Sequence, residues 1–307
     1  MKLRPFERMP YADLPELPRR PHPFADARAE RVVVETPHFG ELGLACRRYG
    51  QGPPLVCIHG LMTTSYSFRY ILEPLRDRFE VVMFDLPGAG DSDKPDVAYG
   101  PREVADALAA AMKAAGAWGA PVLGNSMGGY LSMWLALRHP GAAARVLNLH
   151  SPGVVTARMR ALDVAFHVPV APRIVDWLVR RDPERWVFEN VHYYDESLKS
   201  REEARAYAAP LRSSEGRRAF ARHLGDTLAV EPMRAFEARL RELGGELPVP
   251  LLLVYARQDP MVPPEVGRRL SAMVPGARLV WLDEASHFAH VDATDRFLEV
   301  ALPFLSA

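Results

Sequence analysis

The sequence predicts an α/β fold: a mostly parallel eight-stranded sheet with helices on both faces and a helical insertion after the sixth strand. Three observations carry this. Strand-length apolar runs alternate with helix-length stretches from residue 54 to 150 and again from Pro248 to Leu305, and such alternation builds a parallel sheet because each crossover must return over a face. Between Pro152 and about residue 245 the alternation stops and the pattern is helical throughout. Finally, 307 residues at 48% hydrophobic content can bury about three-quarters of their extended surface, enough for one large core.

Each element follows in order. The first thirty residues carry six prolines and little periodicity. Proline denies a helix or inner strand its N–H, so residues 1–30 are expected to be an irregular arm that wraps the domain or stays loose. Residues 30–36 and 42–49, joined by a turn at Phe39-Gly40, predict an antiparallel hairpin. Then come strand 54–58, a helix over about 65–78, strand 79–84, a helix over about 101–116, strand 120–124, helix 127–139 and strand 145–150. In the following stretch the clearest helical segments are 173–180, 200–208 and 217–224. Residues 153–245 are therefore expected to form a helical cap, and 31–152 with 246–307 the core, which resumes with strands 250–256 and 277–282.

Gly124-Asn125-Ser126-Met127-Gly128 sits between an apolar strand and a helix. This is the Gly-x-Ser-x-Gly elbow in the context it needs: a strained turn presents the serine hydroxyl at the sheet edge, and glycines on either side let backbones pack close. A serine there needs a base, and the base an orienting acid, later in the chain. Asp259 follows strand 250–256 and His287 follows strand 277–282, so three complementary residues each lie just past a strand's carboxyl end, where such sheets hold ligands. Ser126, Asp259 and His287 form the expected triad. His290 and Asp85 are the competitors for base and acid. His290 heads toward the final helix, and Asp85 precedes the serine and suits bracing of the Pro87-Gly88-Ala89-Gly90 turn. Two backbone N–H donors are expected to bind an oxyanion, those of Leu61 and Met127, with Gly60 taking a positive φ to turn the first inward. His59 is expected to brace its loop, and His38, His139, His150, His167, His192 and His223 to be structural or surface residues.

Taken together, His59-Gly60, residues 85–90, 124–128, 259–263 and 286–292 resemble the α/β-hydrolase superfamily over nearly the whole chain beyond residue 30. Two departures are small: such proteins usually have Gly where this chain has Ala256 and Ser286. Within that superfamily the nucleophile decides the chemistry. Epoxide hydrolases and haloalkane dehalogenases attack carbon with an Asp, whereas a serine attacking an alkyl carbon would be stranded as an ether. The resemblance and Ser126 together imply acyl transfer: hydrolysis of small or medium carboxylic esters through an acyl-enzyme, with no cofactor and no metal. Gly124-Asn-Ser-Met-Gly-Gly129 and Ser151-Pro-Gly153 also look like the serine C–C hydrolases of ring-cleavage diketones. Against that alternative, the loop after His59-Gly60 lacks their glycine-rich continuation and Phe288 stands where they tend to have Trp. A non-catalytic hydrolase-fold ligand receptor is a third reading; the complete triad opposes it.

Composition narrows the partners. Lys+Arg and Asp+Glu both number 38, so charge gives no case for nucleic acid. No apolar run approaches a membrane span, and the N-terminus lacks a signal-peptide core. Cys46 and Cys57 fall in predicted strands, as buried reduced thiols of a cytoplasmic protein would. The expected partner is a small-molecule ester. The insertion's arginines are expected to be solvated helix faces, with a grip on an anionic substrate as the alternative, and Trp177, Trp186, Phe188 and Tyr193 to form the cap's core.

Overall fold

Strict alternation of burial from Val32 to Thr36 makes β1 (Arg28–Thr36) a strand with one packed face, and it pairs antiparallel with β2 (Gly40–Tyr49) across a turn where Gly40 takes φ +67°. The computed structural model describes residues 4–166 and 170–307. The remaining strands are β3 (Pro54–Ile58), β4 (Glu80–Phe84), β5 (Ala120–Asn125), β6 (Ala143–Leu149), β7 (Leu251–Ala256) and β8 (Arg278–Leu282). They form one sheet in the order β1-β2-β4-β3-β5-β6-β7-β8. β2 meets β4 antiparallel, and every later pair is parallel. Strands such as β7, buried at every position, are what a sheet covered on both faces requires.

Helices α1 (Leu72–Leu75), α2 (Pro101–Ala114) and α3 (Met127–Arg138) lie among the first six strands. Between β6 and β7 run α4 (Ala157–Phe166), α5 (Ala171–Arg181), α6 (Pro183–Asn190), α7 (Arg201–Ala208), α8 (Ser214–Arg222) and α9 (Val230–Glu242), and the chain closes with α10 (Pro264–Met273), α11 (Ala289–Asp292) and α12 (Thr294–Leu305). One core layer packs α2 and α3 on the sheet; the other sets Phe297, Leu298 and Ala301 of α12 against Leu55, Cys57 and Leu252. Cys46 and Cys57 are free and buried, and burial pushes the Cys46 thiol up to about 12.

Two expectations need correction. The helix expected over 65–78 is broken into a 3-10 turn, Ser65–Phe68, and the single turn α1. Pro74 is the cause: it has no N–H to offer a helix coming from further back, and fits only a first turn. The N-terminal segment is not wholly irregular, with 3-10 turns at Tyr11–Asp13 and Phe24–Asp26, and β1 begins at Arg28. Its backbone satisfies the start of α7: Arg201 N donates to Pro15 O at 2.9 Å and Glu202 N to Glu16 O at 3.1 Å.

A Cβ on Gly128 would lie 2.1 Å from Ile58 O, whereas one on Gly225 would meet nothing within 4 Å. Gly128→Ala is therefore expected to lower the urea midpoint by an amount corresponding to about 1–3 kcal/mol, and Gly225→Ala to stay within about 0.5 kcal/mol of the parent protein. Equal midpoints for the two variants would contradict this packing.

Candidate active site

β5 runs apolar and buried to Asn125, α3 starts at Met127, and Ser126 between them takes φ 54° and ψ −122°. A non-glycine residue reaches this conformation only when its surroundings enforce it. The enforcement is visible: Ser126 N donates to Leu149 O at 2.8 Å, and Gly129 N donates back to Ser126 O at 2.9 Å. Both flanking glycines are needed for space, since a Cβ on Gly124 would meet Gly128 O at 2.5 Å. The expectation for Gly60 is corrected. The positive φ in its loop falls on Met62, at 64°, and not on Gly60. Gly60 is small because a Cβ there would come within 3.0 Å of Ser126 Cβ.

His287 and Asp259 meet past the ends of β8 and β7. The imidazole Nδ1–H donates to Asp259 Oδ2 at 2.7 Å, while Oδ1 of the same carboxylate accepts from Met261 N at 2.6 Å and Val262 N at 3.0 Å. Burial pushes the Asp259 carboxyl up, but His287, His150 and the Val262 N–H outweigh it and hold it below its ordinary value. The His287 loop is tied down twice. Asn125 Nδ2 donates to His287 O at 3.1 Å, linking the residue before the serine to the histidine's backbone. Asp292 accepts from Ser286 N at 3.3 Å and from Tyr194 N at 2.7 Å; burial raises its carboxyl to about 6.

The competitors sit elsewhere. His290 is buried with Nε2 paired to Ser67 Oγ at 2.7 Å. Asp85 spends its oxygens on Ser65 N at 2.7 Å and Asp91 N at 3.0 Å, and Gly90, at φ 48°, leaves space for that carboxylate. His59 accepts from Leu86 N through Nε2 and donates to Gly60 O through Nδ1. His38 and His139 make surface contacts with Ala98 O and Asp106, His192 stands near Glu196, and His223 is buried against Pro87 O. His167 lies outside the described residues.

His150, expected as a structural or surface residue, stands next to the candidate pair. It follows β6 at φ 54°, is fully buried, and its ring stands 5.5 Å from that of His287. Its Nε2 accepts the N–H of Ala256, so the neutral ring carries its proton on Nδ1. Ligand atoms of His150, Asp259 and His287 lie within 4.8 Å of one another. A protonated Nδ1 is no metal ligand, however; it stands beside the acid–imidazole pair as an unspent donor. The positive φ past a strand end has no sequence signature in a histidine. Asn125 could have been found from its place in the elbow.

Ser126 and His287 face a common cavity of about 570 Å³, with Leu61 beside them and Met159, Leu224 and Leu228 contributed by the insertion. Met127 is buried next to it, lining a smaller void of about 30 Å³ with Leu61. Arg218 and Arg222 also border the large cavity, and both pair with Asp96 at 3.2 and 2.6 Å. Of the aromatics expected in the insertion's core, Phe188 and Tyr193 are buried and Trp186 packs on Phe220. Trp177 is instead 49% exposed.

The model of the alpha/beta hydrolase fold family matches residues 53–294. The chain is 27% identical, over 86% of its length and 100% of the relative's, to the pimeloyl-(acyl-carrier protein) methyl ester esterase of Aeromonas hydrophila subsp. hydrophila. It is 30% identical, over 80% of its length and 86% of the relative's, to haloalkane dehalogenase 2 of Mycobacterium bovis. Among solved structures, a thermophilic esterase from Thermogutta terrifontis has a TM-score of 0.70 at 22% identity, covering 91% of this chain and 98% of that one, a likeness of fold.

Four buried histidines set an acid dependence. Burial lowers the pKa of His59 and His290, brings His150 down to about 3 and His223 to about 4. In the unfolded chain each takes up a proton below about 6.5. Between that value and the depressed one the unfolded state holds more protons, so stability is lost as pH falls, by at most about 1.4 kcal/mol per unit per histidine. Asp292, raised to about 6, works the other way between roughly 4 and 6. The urea midpoint is expected to drop from pH 7 to pH 5, and His150→Asn, which tolerates positive φ, to flatten the slope. A midpoint independent of pH would show that these histidines are not held neutral.

Proposed function

The chain belongs to the alpha/beta hydrolase fold family, and from that premise we propose that it is a serine hydrolase cleaving carboxylic esters of small or medium substrates through an acyl-enzyme. One observation carries the reading: a serine held at φ 54° faces the same cavity as a histidine whose Nδ1–H is spent on a buried carboxylate. That bond leaves Nε2 of His287 as the free base. It removes the Ser126 proton as the oxygen attacks the ester carbonyl, and the N–H groups of Leu61 and Met127 bind the oxyanion at the positive end of α3. His287 then protonates the leaving alcohol and activates water against the acyl-enzyme. Base and oxyanion hole each contribute factors of about 10²–10⁴. Residues 153–245 act as a cap that excludes water and shapes the acyl pocket. The methyl ester esterase relative supports the ester class. Dehalogenation, named for another relative, needs a carboxylate nucleophile, and the elbow of this chain carries Ser126. The two buried free thiols support a reducing, cytoplasmic setting.

Ser126→Ala is expected to remove p-nitrophenyl butyrate turnover and fluorophosphonate labelling with the urea midpoint of the parent retained. Asp259→Asn should lower kcat by about 10³–10⁴-fold, while Asp85→Asn should mainly lower stability through its lost backbone bonds. Labelling at another serine, or turnover of 1-chlorobutane or styrene oxide, would refute the mechanism. Preference for a vinylogous diketone acid over simple esters would move the chain to the C–C hydrolases.

A further inference from the structure

Exposed large apolar side chains number eight among the described residues, and five of them lie between Val164 and Leu178. On α5, Ile174, Trp177 and Leu178 are 53%, 49% and 47% exposed; Val170, one turn before Ile174, is 49% exposed, and Val164 of α4 reaches 70%. Positions i, i+3 and i+4 share a helix face, so Val170, Ile174, Trp177 and Leu178 form one stripe, while Val179 on the other side is buried in the insertion's core. A contiguous apolar stripe in water marks an interaction surface.

Charge says what covers it. Residues 157–181 contain five arginines and two aspartates in a chain whose net charge is zero. Asp176 is taken by Arg217 at 2.6 Å. Arg173, Arg180 and Arg181 are exposed beside the stripe with no acidic partner among the described residues, and the Arg181 guanidinium stands 5.9 Å from the Trp177 ring. An apolar face with a tryptophan and flanking arginines is the signature of a helix lying in a bilayer interface, its rings among acyl chains and its arginines on anionic headgroups. A second copy fits poorly, because a two-fold contact would bring this basic segment against itself. Among the described residues no helix is long and apolar enough to cross a membrane, so the contact proposed is a peripheral one.

We propose that the exposed face of α5, with Val164 of α4, docks on an anionic phospholipid bilayer. Met159 and Arg158 of α4 also line the cavity that holds Ser126, so docking sets the rim of that cavity at the lipid surface. The interaction stands apart from the ester-hydrolase reading and is measured without turnover.

The test is cosedimentation of the full chain with vesicles of phosphatidylcholine alone or with about one-third phosphatidylserine, together with Trp emission. Binding to the anionic vesicles is expected, weakened by salt, and far weaker to the neutral ones. Ile174→Ser with Leu178→Ser should lower the partition coefficient at least about tenfold, and Trp177→Phe should remove the lipid-induced blue shift. Arg173→Gln with Arg180→Gln and Arg181→Gln should abolish the preference for anionic lipid. All of these side chains are exposed, so urea midpoints and vesicle-free p-nitrophenyl butyrate turnover should match the parent. Absence of binding to anionic vesicles would overturn the proposal, as would binding that the serine pair leaves unchanged. A concentration-dependent dimer abolished by that pair would overturn it in favour of a second copy. Vesicle binding without any esterase activity would sink the proposed function and leave the docking intact.

Discussion

Between the end of β3 and the first turn of α3 there is room for a hydrogen and nothing larger: a Cβ on Gly128 would lie 2.1 Å from Ile58 O and 2.6 Å from His59 O. Much of the candidate site depends on that approach. It lets α3 start directly at the sheet edge, so Ser126 must turn through a left-handed φ instead of being carried away from the strand ends. The strain, about 1–3 kcal/mol for such a residue, is offset by backbone bonds that Ser126 makes to Leu149, Gly129 and Tyr130. The same approach brings Gly60 against Ser126, which places Leu61 beside the serine at the cavity wall.

The insertion is held over this edge by apolar packing, with Val230, Met233, Phe236 and Leu240 in one cluster with the sheet, and by buried polar groups. Arg69, fully buried after the Ser65–Phe68 turn, is ion-paired to Glu203 of α7 and stands over the rings of Tyr66 and Tyr70 at 4.6 and 4.4 Å. Tyr193 donates to the same carboxylate at 2.9 Å, and Lys199 pairs with Glu196 nearby. A buried pair returns little beyond its desolvation cost; its effect here is to define where α7 sits. Asp292 adds a second tie by bonding the insertion's Tyr194 and the loop of His287 at once. From the α4–α5 end, Arg158 donates to Met261 O at 3.3 Å.

How much of this is legible in the sequence depends on how local each cause is. The elbow is, because strand, glycines, serine and helix are contiguous. The strand ends carrying Asp259 and His287 are, because apolar runs stop sharply before them. The break at Pro74 is written in the residue itself, yet the apolar pattern around it masks it. His150 is not legible, and of Asn125 only the place in the elbow is: their partners, Ala256 and His287, lie 106 and 162 residues away, and only the sheet order brings them together. Gly60 shows a different limit, since its smallness follows from a neighbour across the sheet and not from its own φ. For Trp177 the helical period gives an apolar face but not what covers it. The stripe that suggests core packing points outward because α5 turns Val179 inward.

The N-terminal segment has a consequence for the order of folding. Its backbone accepts the first N–H groups of α7, Arg20 Nη1 donates to Thr294 Oγ1 at 3.0 Å, and Arg201 reaches Tyr11 O across 190 residues of chain. These contacts are among the most distant in sequence the molecule makes, and closing such loops is favourable only after both ends of the docking surface exist. The segment therefore belongs to the last stage of assembly. It settles as a latch across core and insertion once β8, α12 and α7 are in place, and it contributes to slow unfolding more than to fast folding.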